Sequence, residues 1–145
     1  MFNKKPKEFL FVYGKLKREF DNEYSKFLKK NSKLVDGGLV HGVMYKIKDQ
    51  DEVYPGLIKK NNGYIYGELY LLKGNAQRTL KYLDEYEMTP NLFMRERVNV
   101  CRLNNKTTMF PVTTSPVVTA WIYTYNKDVT NCEIIADGVF SKNIK

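Results

Sequence analysis

Apolar and polar positions change their period several times along the chain, and these changes divide it into strands and helices. Phe9 to Tyr13 is an unbroken apolar run that ends on Gly14, the pattern of a short buried strand entering a turn. Asp21 and Asn22 are N-cap residue types, and Tyr24, Phe27 and Leu28 follow at helical spacing, which predicts a helix through about Lys30. Gly37 and Gly38 break the pattern, and Leu39 to Ile47 reads as one further strand. Tyr54-Pro55-Gly56 reads as a turn before Leu57 and Ile58. From Tyr64 to Leu71 the alternation is strict: Tyr64, Tyr66, Glu68 and Tyr70 share one face, and Ile65, Gly67, Leu69 and Leu71 the other. Asn75 suits the N-cap of a helix from about Ala76 to Tyr86. Phe93 to Leu103 and Thr119 to Tyr125 predict the closing strands. Residues 104–116, rich in threonine and twice interrupted by proline, read as a loop or an edge excursion. Strands outnumber helices without a βαβ rhythm. The expectation is a single α+β domain over residues 1–145, its mixed sheet curled towards a barrel and flanked by two main helices.

Composition changes this picture at few points. With 43% hydrophobic and 14% aromatic residues the chain can bury a core, so disorder is not expected. No apolar run is long enough for a signal-peptide core or a membrane span. Cys101 and Cys132, the only cysteines, offer neither a disulfide framework nor a metal-type pair. A soluble, cytoplasmic, reduced protein is expected. The net charge of +8 favours acidic partners, yet the lysines are scattered and do not alternate with aromatics. A solvated surface and a small anionic ligand are therefore expected, with no nucleic acid or membrane partner. The sequence says nothing of oligomeric state.

Candidate chemistry is narrowed by elimination. His41, the single histidine, is followed by Gly42 within a strand pattern, and no serine sits in a nucleophile-elbow context. Neither cysteine has a neighbour that would lower its pKa, and one histidine with scattered acids does not suggest a metal site. No phosphate-binding loop or dinucleotide fingerprint occurs. Catalysis would rest on carboxylates and backbone groups. Among Asp84, Glu85 and Glu87, only Glu87 continues the helical stripe of Ala76, Leu80 and Leu83. Either the helix aims Glu87 at the core, where burial would raise its pKa towards that of an acid–base catalyst, or it ends first and the side chain turns to solvent. Glu68, on its tyrosine-rich face, could line a polar pocket or be the wet side of a sheet. Gly14 after a buried strand would let a backbone turn approach an anion closely.

Taken in order, these pieces resemble the γ-glutamylcyclotransferase-like superfamily. Phe11-Val12-Tyr13-Gly14-Lys15-Leu16 is similar to that family's strand followed by Tyr-Gly-Thr-Leu, and Asn22 stands where the family often has asparagine. Gly42-Val43-Met44-Tyr45, Tyr54-Pro55-Gly56-Leu57, Gly67-Glu68-Leu69-Tyr70, Leu83-Asp84-Glu85-Tyr86-Glu87, Ala120-Trp121-Ile122-Tyr123 and Asp137-Gly138 follow, so the resemblance spans nearly the whole chain. After Glu87, where many members have glycine, comes Met88-Thr89-Pro90, a longer form that looks like the γ-glutamylamine cyclotransferases.

The resemblance implies Glu87 as the catalytic acid–base and Tyr13, Gly14, Lys15, Leu16 and Phe93 as substrate-binding, with Tyr54, Glu68 and Tyr123 lining the pocket. It implies cleavage of γ-glutamyl amines, such as γ-glutamyl-ε-lysine, to 5-oxoproline and free amine, with neither metal nor organic cofactor. Two residues depart from the pattern: Lys15 replaces a small hydroxyl residue, and Phe93 replaces a tyrosine. The alternatives are a non-catalytic module that binds a small molecule or peptide end, and a cyclotransferase on γ-glutamyl amino acids or peptides.

Overall fold

A computed structural model of the chain describes residues 6–103 and 117–145; the predicted loop over 104–116 lies outside them. Strand β1 (Phe9–Val12) is buried on both faces, Phe11 entering one apolar cluster and Leu10 and Val12 another. A strand covered on both sides has no need to alternate, which is why its sequence is continuously apolar. It pairs antiparallel with β5 (Tyr64–Leu72) and meets β7 (Val117–Tyr125) in parallel at Leu10 and Trp121. With β2 (Ser32–His41) and β6 (Phe93–Arg102) these strands close a barrel in the order β1-β5-β2-β6-β7. A smaller sheet of β4 (Glu52–Ile58), β3 (Val43–Asp49) and β8 (Glu133–Ile134) stands beside it. The architecture is the expected α+β one, with a barrel-like sheet and two helices.

Phe11, Val40, Leu69, Val100 and Ile122 belong to one buried cluster. Gly67 makes room for it: a Cβ there would lie 2.4 Å from the Val12 carbonyl oxygen and 2.6 Å from Phe11 Cζ. The same crowding explains why Gly37 and Gly38 do not interrupt the chain as their sequence suggests. They lie inside β2, paired with Glu68 and Gly67, and a Cβ on Gly38 would meet Val100 and Phe11.

Two other expectations are corrected. Leu39 to Ile47 is two strands divided at Gly42, whose amide donates to the Gly63 carbonyl as the chain passes from barrel to small sheet. Tyr54-Pro55-Gly56 is not a turn but the middle of β4, with Pro55 opposite Lys46. β4 is an edge strand of its sheet, where a proline need not donate to a ladder. The turn falls earlier, at Gln50 and Asp51, where Gln50 adopts a φ of 55°.

Both helices contribute to the apolar cluster that contains Leu10 and Val12 of β1, Tyr70 and Leu72 of β5 and Tyr123 of β7. Helix α1 (Glu23–Lys30) is opened by a capping box, in which the Asn22 side chain accepts from the amides of Tyr24 and Ser25 while Ser25 Oγ accepts from the Asn22 amide. In α2 (Ala76–Tyr86) the Asn75 side chain accepts from the Arg78 amide at 3.1 Å. Tyr24 stacks on Tyr86 with centroids 3.9 Å apart, and Phe27 meets Tyr82 at 4.1 Å. Leu28, Leu80 and Leu83, all 0% exposed, pack with Leu10, Val12, Tyr70, Phe93 and Tyr123 in a second core.

The end of α2 sets the position of everything that follows. Glu87 is its C-cap, and Met88 takes a left-handed φ of 55°. The Met88 amide donates to the Glu85 carbonyl and the Thr89 amide to that of Asp84, the paired bonds of a Schellman stop. A left-handed residue with a Cβ is strained there, whereas glycine is not. Because Met88 is 61% exposed, its side chain contributes little packing. Met88→Gly is therefore expected to raise stability by about 0.5–1 kcal/mol, net of the added freedom of the unfolded chain. Thermal unfolding of the two proteins checks this; a lowered midpoint would count against the strain argument.

Candidate active site

A cavity of about 200 Å³ lies where the end of β1, the β3–β4 hairpin, the end of α2 and the first residue of β6 converge. Tyr13 binds its walls together. Its hydroxyl donates to the Tyr123 carbonyl at 2.5 Å and accepts from the Leu57 amide at 3.2 Å. Burial, and then the nearby charge of Glu87, push the Tyr13 phenol far above its ordinary value, so it remains protonated.

Three acids near the end of α2 meet three fates. Glu85 is exposed. Asp84 accepts two bonds from Arg95, at 2.7 and 3.2 Å, and one from the Tyr123 hydroxyl at 2.8 Å. Arg95 itself lies over the Trp121 ring at 4.3 Å. Glu87 is different. Its amide still donates to the Leu83 carbonyl at 2.9 Å, so it keeps its place on the helix although the regular turns stop at Tyr86. The residue as a whole is half-buried and lines the cavity, with its carboxyl withdrawn from solvent. That carboxyl has no hydrogen bond or ion pair with another described residue, and burial alone pushes it up to about 8. Its charge in turn helps raise the phenols of Tyr13 and Tyr86, after burial, and that of Tyr123, after burial and Asp84, which places it among them. A carboxyl with such a pKa has both protonation states within reach near neutral pH, as a group that takes and then returns a proton requires.

Opposite this acid is the turn after β1. The Lys17 amide donates to the Gly14 carbonyl at 3.0 Å, and Asn22 Nδ2 donates to the Lys15 carbonyl at 2.8 Å. Asn22 thus caps α1 and holds the turn at once. Gly14, Lys15 and Leu16 line the cavity, and the amides of Lys15 and Leu16 make no hydrogen bond among the described residues. Gly14 is needed for closeness: a Cβ would lie 2.8 Å from Pro55 Cγ across the cavity wall. Lys15 is half-buried in that wall, and the cavity stays open beside it. Phe93 is buried against Tyr54 and Tyr125, with centroids 6.1 and 5.4 Å away. Burial, and then the neighbouring Tyr125, push the Tyr54 phenol up to about 12.

Tyr13, Gly14, Lys15, Leu16, Tyr54, Glu87, Phe93 and Tyr123 are thus brought together from distant parts of the chain. Glu68 is not. It accepts from the Arg18 amide at 2.8 Å and the Tyr70 hydroxyl at 2.9 Å, and pairs with Arg18 Nε at 3.2 Å. It therefore anchors the far side of the turn to β5 and does not line the cavity, correcting the expectation for this residue. Sequence reasoning also missed Asp49, Glu52, Pro55, Tyr86, Met88 and Leu92, all in the cavity wall. The pair Asp49 and Glu52 had a legible signal, four polar residues between two β-patterned runs, but it was obscured by placing the turn at Pro55. The His41 ring packs at a tilt of 37° against Tyr64, away from the cavity, and Cys101 and Cys132 lie outside its wall. Among the described residues, no helix is long and apolar enough to cross a membrane, and no three His, Cys, Asp or Glu side chains gather as metal ligands would.

The barrel with its side sheet and two helices is a fold with solved counterparts. A mouse AIG2-like protein superposes with a TM-score of 0.61 at 20% identity, over 81% of this chain and 76% of its own. The Escherichia coli protein ytfP gives 0.58 at 22% identity, over 92% and 96%. A solved γ-glutamyl cyclotransferase gives 0.58 at 13% identity, over 89% and 70%. These likenesses are of fold. No curated protein matches the chain significantly in sequence. The chain belongs to the γ-glutamyl cyclotransferase, AIG2-like family, whose sequence model matches residues 10–142.

Proposed function

We propose that this protein is a cyclotransferase that releases 5-oxoproline from γ-glutamyl amines, with Glu87 as its single acid–base group. The observation that carries this reading is a carboxyl without a partner among the described residues, withdrawn from water, in a cavity lined also by Lys15 and by a turn with two unbonded amides. Membership of the family and a solved γ-glutamyl cyclotransferase of the same fold support it.

The substrate supplies its own nucleophile. Its α-carboxylate rests on the Lys15 and Leu16 amides and the Lys15 ammonium, which leaves the α-amino group turned towards Glu87. Glu87 takes a proton from the α-ammonium. The freed amine attacks the γ-carbonyl carbon, and a five-membered ring closes. Glu87 then gives that proton to the leaving nitrogen and takes the second proton from the ring nitrogen; the carbon–nitrogen bond breaks, 5-oxoproline departs, and the freed amine takes the second proton from Glu87 and leaves as its ammonium. Ring closure within one molecule can supply an effective concentration of ~10⁵ M or more, so little is asked of the protein beyond folding the substrate and relaying protons from one nitrogen to the other. The γ-glutamylamine preference draws its support from the Met88-Thr89-Pro90 form after Glu87.

Lys15 gives this reading a separate check. Lys15→Met should raise KM for any γ-glutamyl substrate by roughly 3- to 10-fold while leaving kcat within about 2-fold, as loss of one partly exposed charge pair does. An unchanged KM would remove Lys15 from the binding of the α-carboxylate.

Lys15 and Phe93, both departures in the cavity wall, favour one rival, a binding module of the same fold that does no chemistry. Incubation with γ-glutamyl amines, amino acids and peptides separates the two. Release of 5-oxoproline from any of them supports the enzyme; saturable binding measured by calorimetry without product supports the module.

A further inference from the structure

The proposed chemistry leaves two groups at the cavity mouth unused. Asp49 and Glu52 face each other across the β3–β4 hairpin, and both line the cavity. Both are exposed, and neither has a hydrogen-bond or ion-pair partner among the described residues. They are two of the eight acids, out of 16 in the chain, that pair with no lysine or arginine among the described residues. Eight other carboxylates, in a protein with 24 basic residues, are each held by a lysine or arginine. The two rim carboxylates act inwards. After burial and Tyr125, both help raise the Tyr54 phenol in the cavity wall; after burial and Glu87, Glu52 helps raise Tyr86 on α2. They therefore flank the same mouth into which the carboxyl of Glu87, also without a partner among the described residues, faces from deeper in.

The cavity is polarised by this arrangement. Its lining includes one lysine, Lys15, in the turn with the unbonded amides, and two acidic residues, Asp49 and Glu52, at the hairpin. A γ-glutamyl amide seated with its α-carboxylate at Lys15 and its scissile bond at Glu87 has only its leaving-amine chain left to reach the rim. We infer that Asp49 and Glu52 form a leaving-amine subsite that receives a distal ammonium, so that γ-glutamyl amides of diamines are preferred over those whose leaving chain ends in a neutral group or a carboxylate. This rests on the cyclotransferase reading, and it assigns to the hairpin the choice of leaving group that the acid–base chemistry itself does not make.

The test compares three γ-glutamyl amides of similar length, made from pentanediamine, hexylamine and aminohexanoate, on the wild-type protein and on the Asp49→Asn, Glu52→Gln double variant. 5-Oxoproline release gives kcat/KM for each. The wild type should favour the diamine amide over the hexylamine amide by roughly 3- to 10-fold, the effect of two solvent-exposed charge contacts, with the aminohexanoate amide lowest. The preference should shrink as salt is raised from about 0.02 M to about 0.5 M, and should fall to within about 2-fold in the double variant. A merely structural role for the hairpin would lower all three substrates together and leave the ratios unchanged, which would overturn the inference. So would a wild type that treats the three alike while releasing 5-oxoproline from each, a result that leaves the cyclotransferase reading standing. Release from none of them overturns both.

Discussion

Glu87→Gln is expected to lower 5-oxoproline release by at least about 10²-fold and, in the same molecule, to make the fold relatively more stable as pH rises. Loss of turnover follows from the removal of the cavity carboxyl that is withdrawn from water, unlike the exposed Asp49 and Glu52 at the rim. The stability effect follows from burial. In the unfolded chain a glutamate ionises near its ordinary value of 4.5, whereas the folded protein holds Glu87 protonated up to about 8. Between these values the unfolded state binds fewer protons than the native state, so wild-type stability falls as pH rises through that window. Below it both states are protonated and the penalty is absent; above it the penalty is constant. Glutamine has no such dependence. The penalty is on the order of 1–3 kcal/mol once water in the open cavity is allowed for. Urea unfolding at both ends of the window measures it. A gap between variant and wild type that does not widen from the acidic to the alkaline end would show that Glu87 is not desolvated in the folded protein.

Leu83→Ala, one turn back along α2, should have the opposite effect and no pH dependence. Leu83 is 0% exposed within the core formed by Leu10, Tyr70, Phe93 and Tyr123. Deleting a buried leucine to alanine costs about 2–5 kcal/mol, set by how far the surroundings collapse into the space. The unfolding midpoint should fall by roughly 6–15 °C. Turnover should fall too, because the Glu87 amide is bonded to the Leu83 carbonyl and the helix end is what aims the acid. A loss below about 1 kcal/mol would mean that α2 is not held by this face. The pair of substitutions separates two roles on one helix: Leu83 stabilises the element, and Glu87 destabilises it for the sake of its position.

Much of this architecture was legible because burial imposes period. The Tyr64 to Leu71 alternation became β5, and the pattern from Ala76 to Tyr86 became α2 with Asn75 as its cap. Helical phase singled out Glu87 among three acids, but whether it turned inwards was undetermined, since that depends on a Schellman stop built with a left-handed Met88 and no glycine. Gly37, Gly38 and Pro55 misled for one shared reason. Their local meaning is to break structure, and here tertiary context overrides it: Phe11 and Val100 crowd Gly38, and β4 is an edge that tolerates proline. The link from Asp84 to Arg95 and Tyr123 joins residues far apart in sequence, and no local pattern reports it. The same holds for Glu68, whose partner Arg18 lies fifty positions away. The site residues nearest to a local signal, the Gly14 turn and the end of α2, were the ones a single sequence could suggest. The hairpin carboxylates needed the register of β3 and β4 to be seen.

The most direct measurement is mass-spectrometric detection of 5-oxoproline after incubating the wild-type protein with glutamyl-lysine in its γ-linked and its α-linked form. The expected result is 5-oxoproline from the γ-linked isomer alone, in equal amount to the lysine set free, because only there can the α-amine close a five-membered ring on the scissile carbonyl. Recovery of the γ-linked isomer intact, by a folded protein that also leaves every other γ-glutamyl amine uncleaved, would contradict a cyclotransferase built on Glu87.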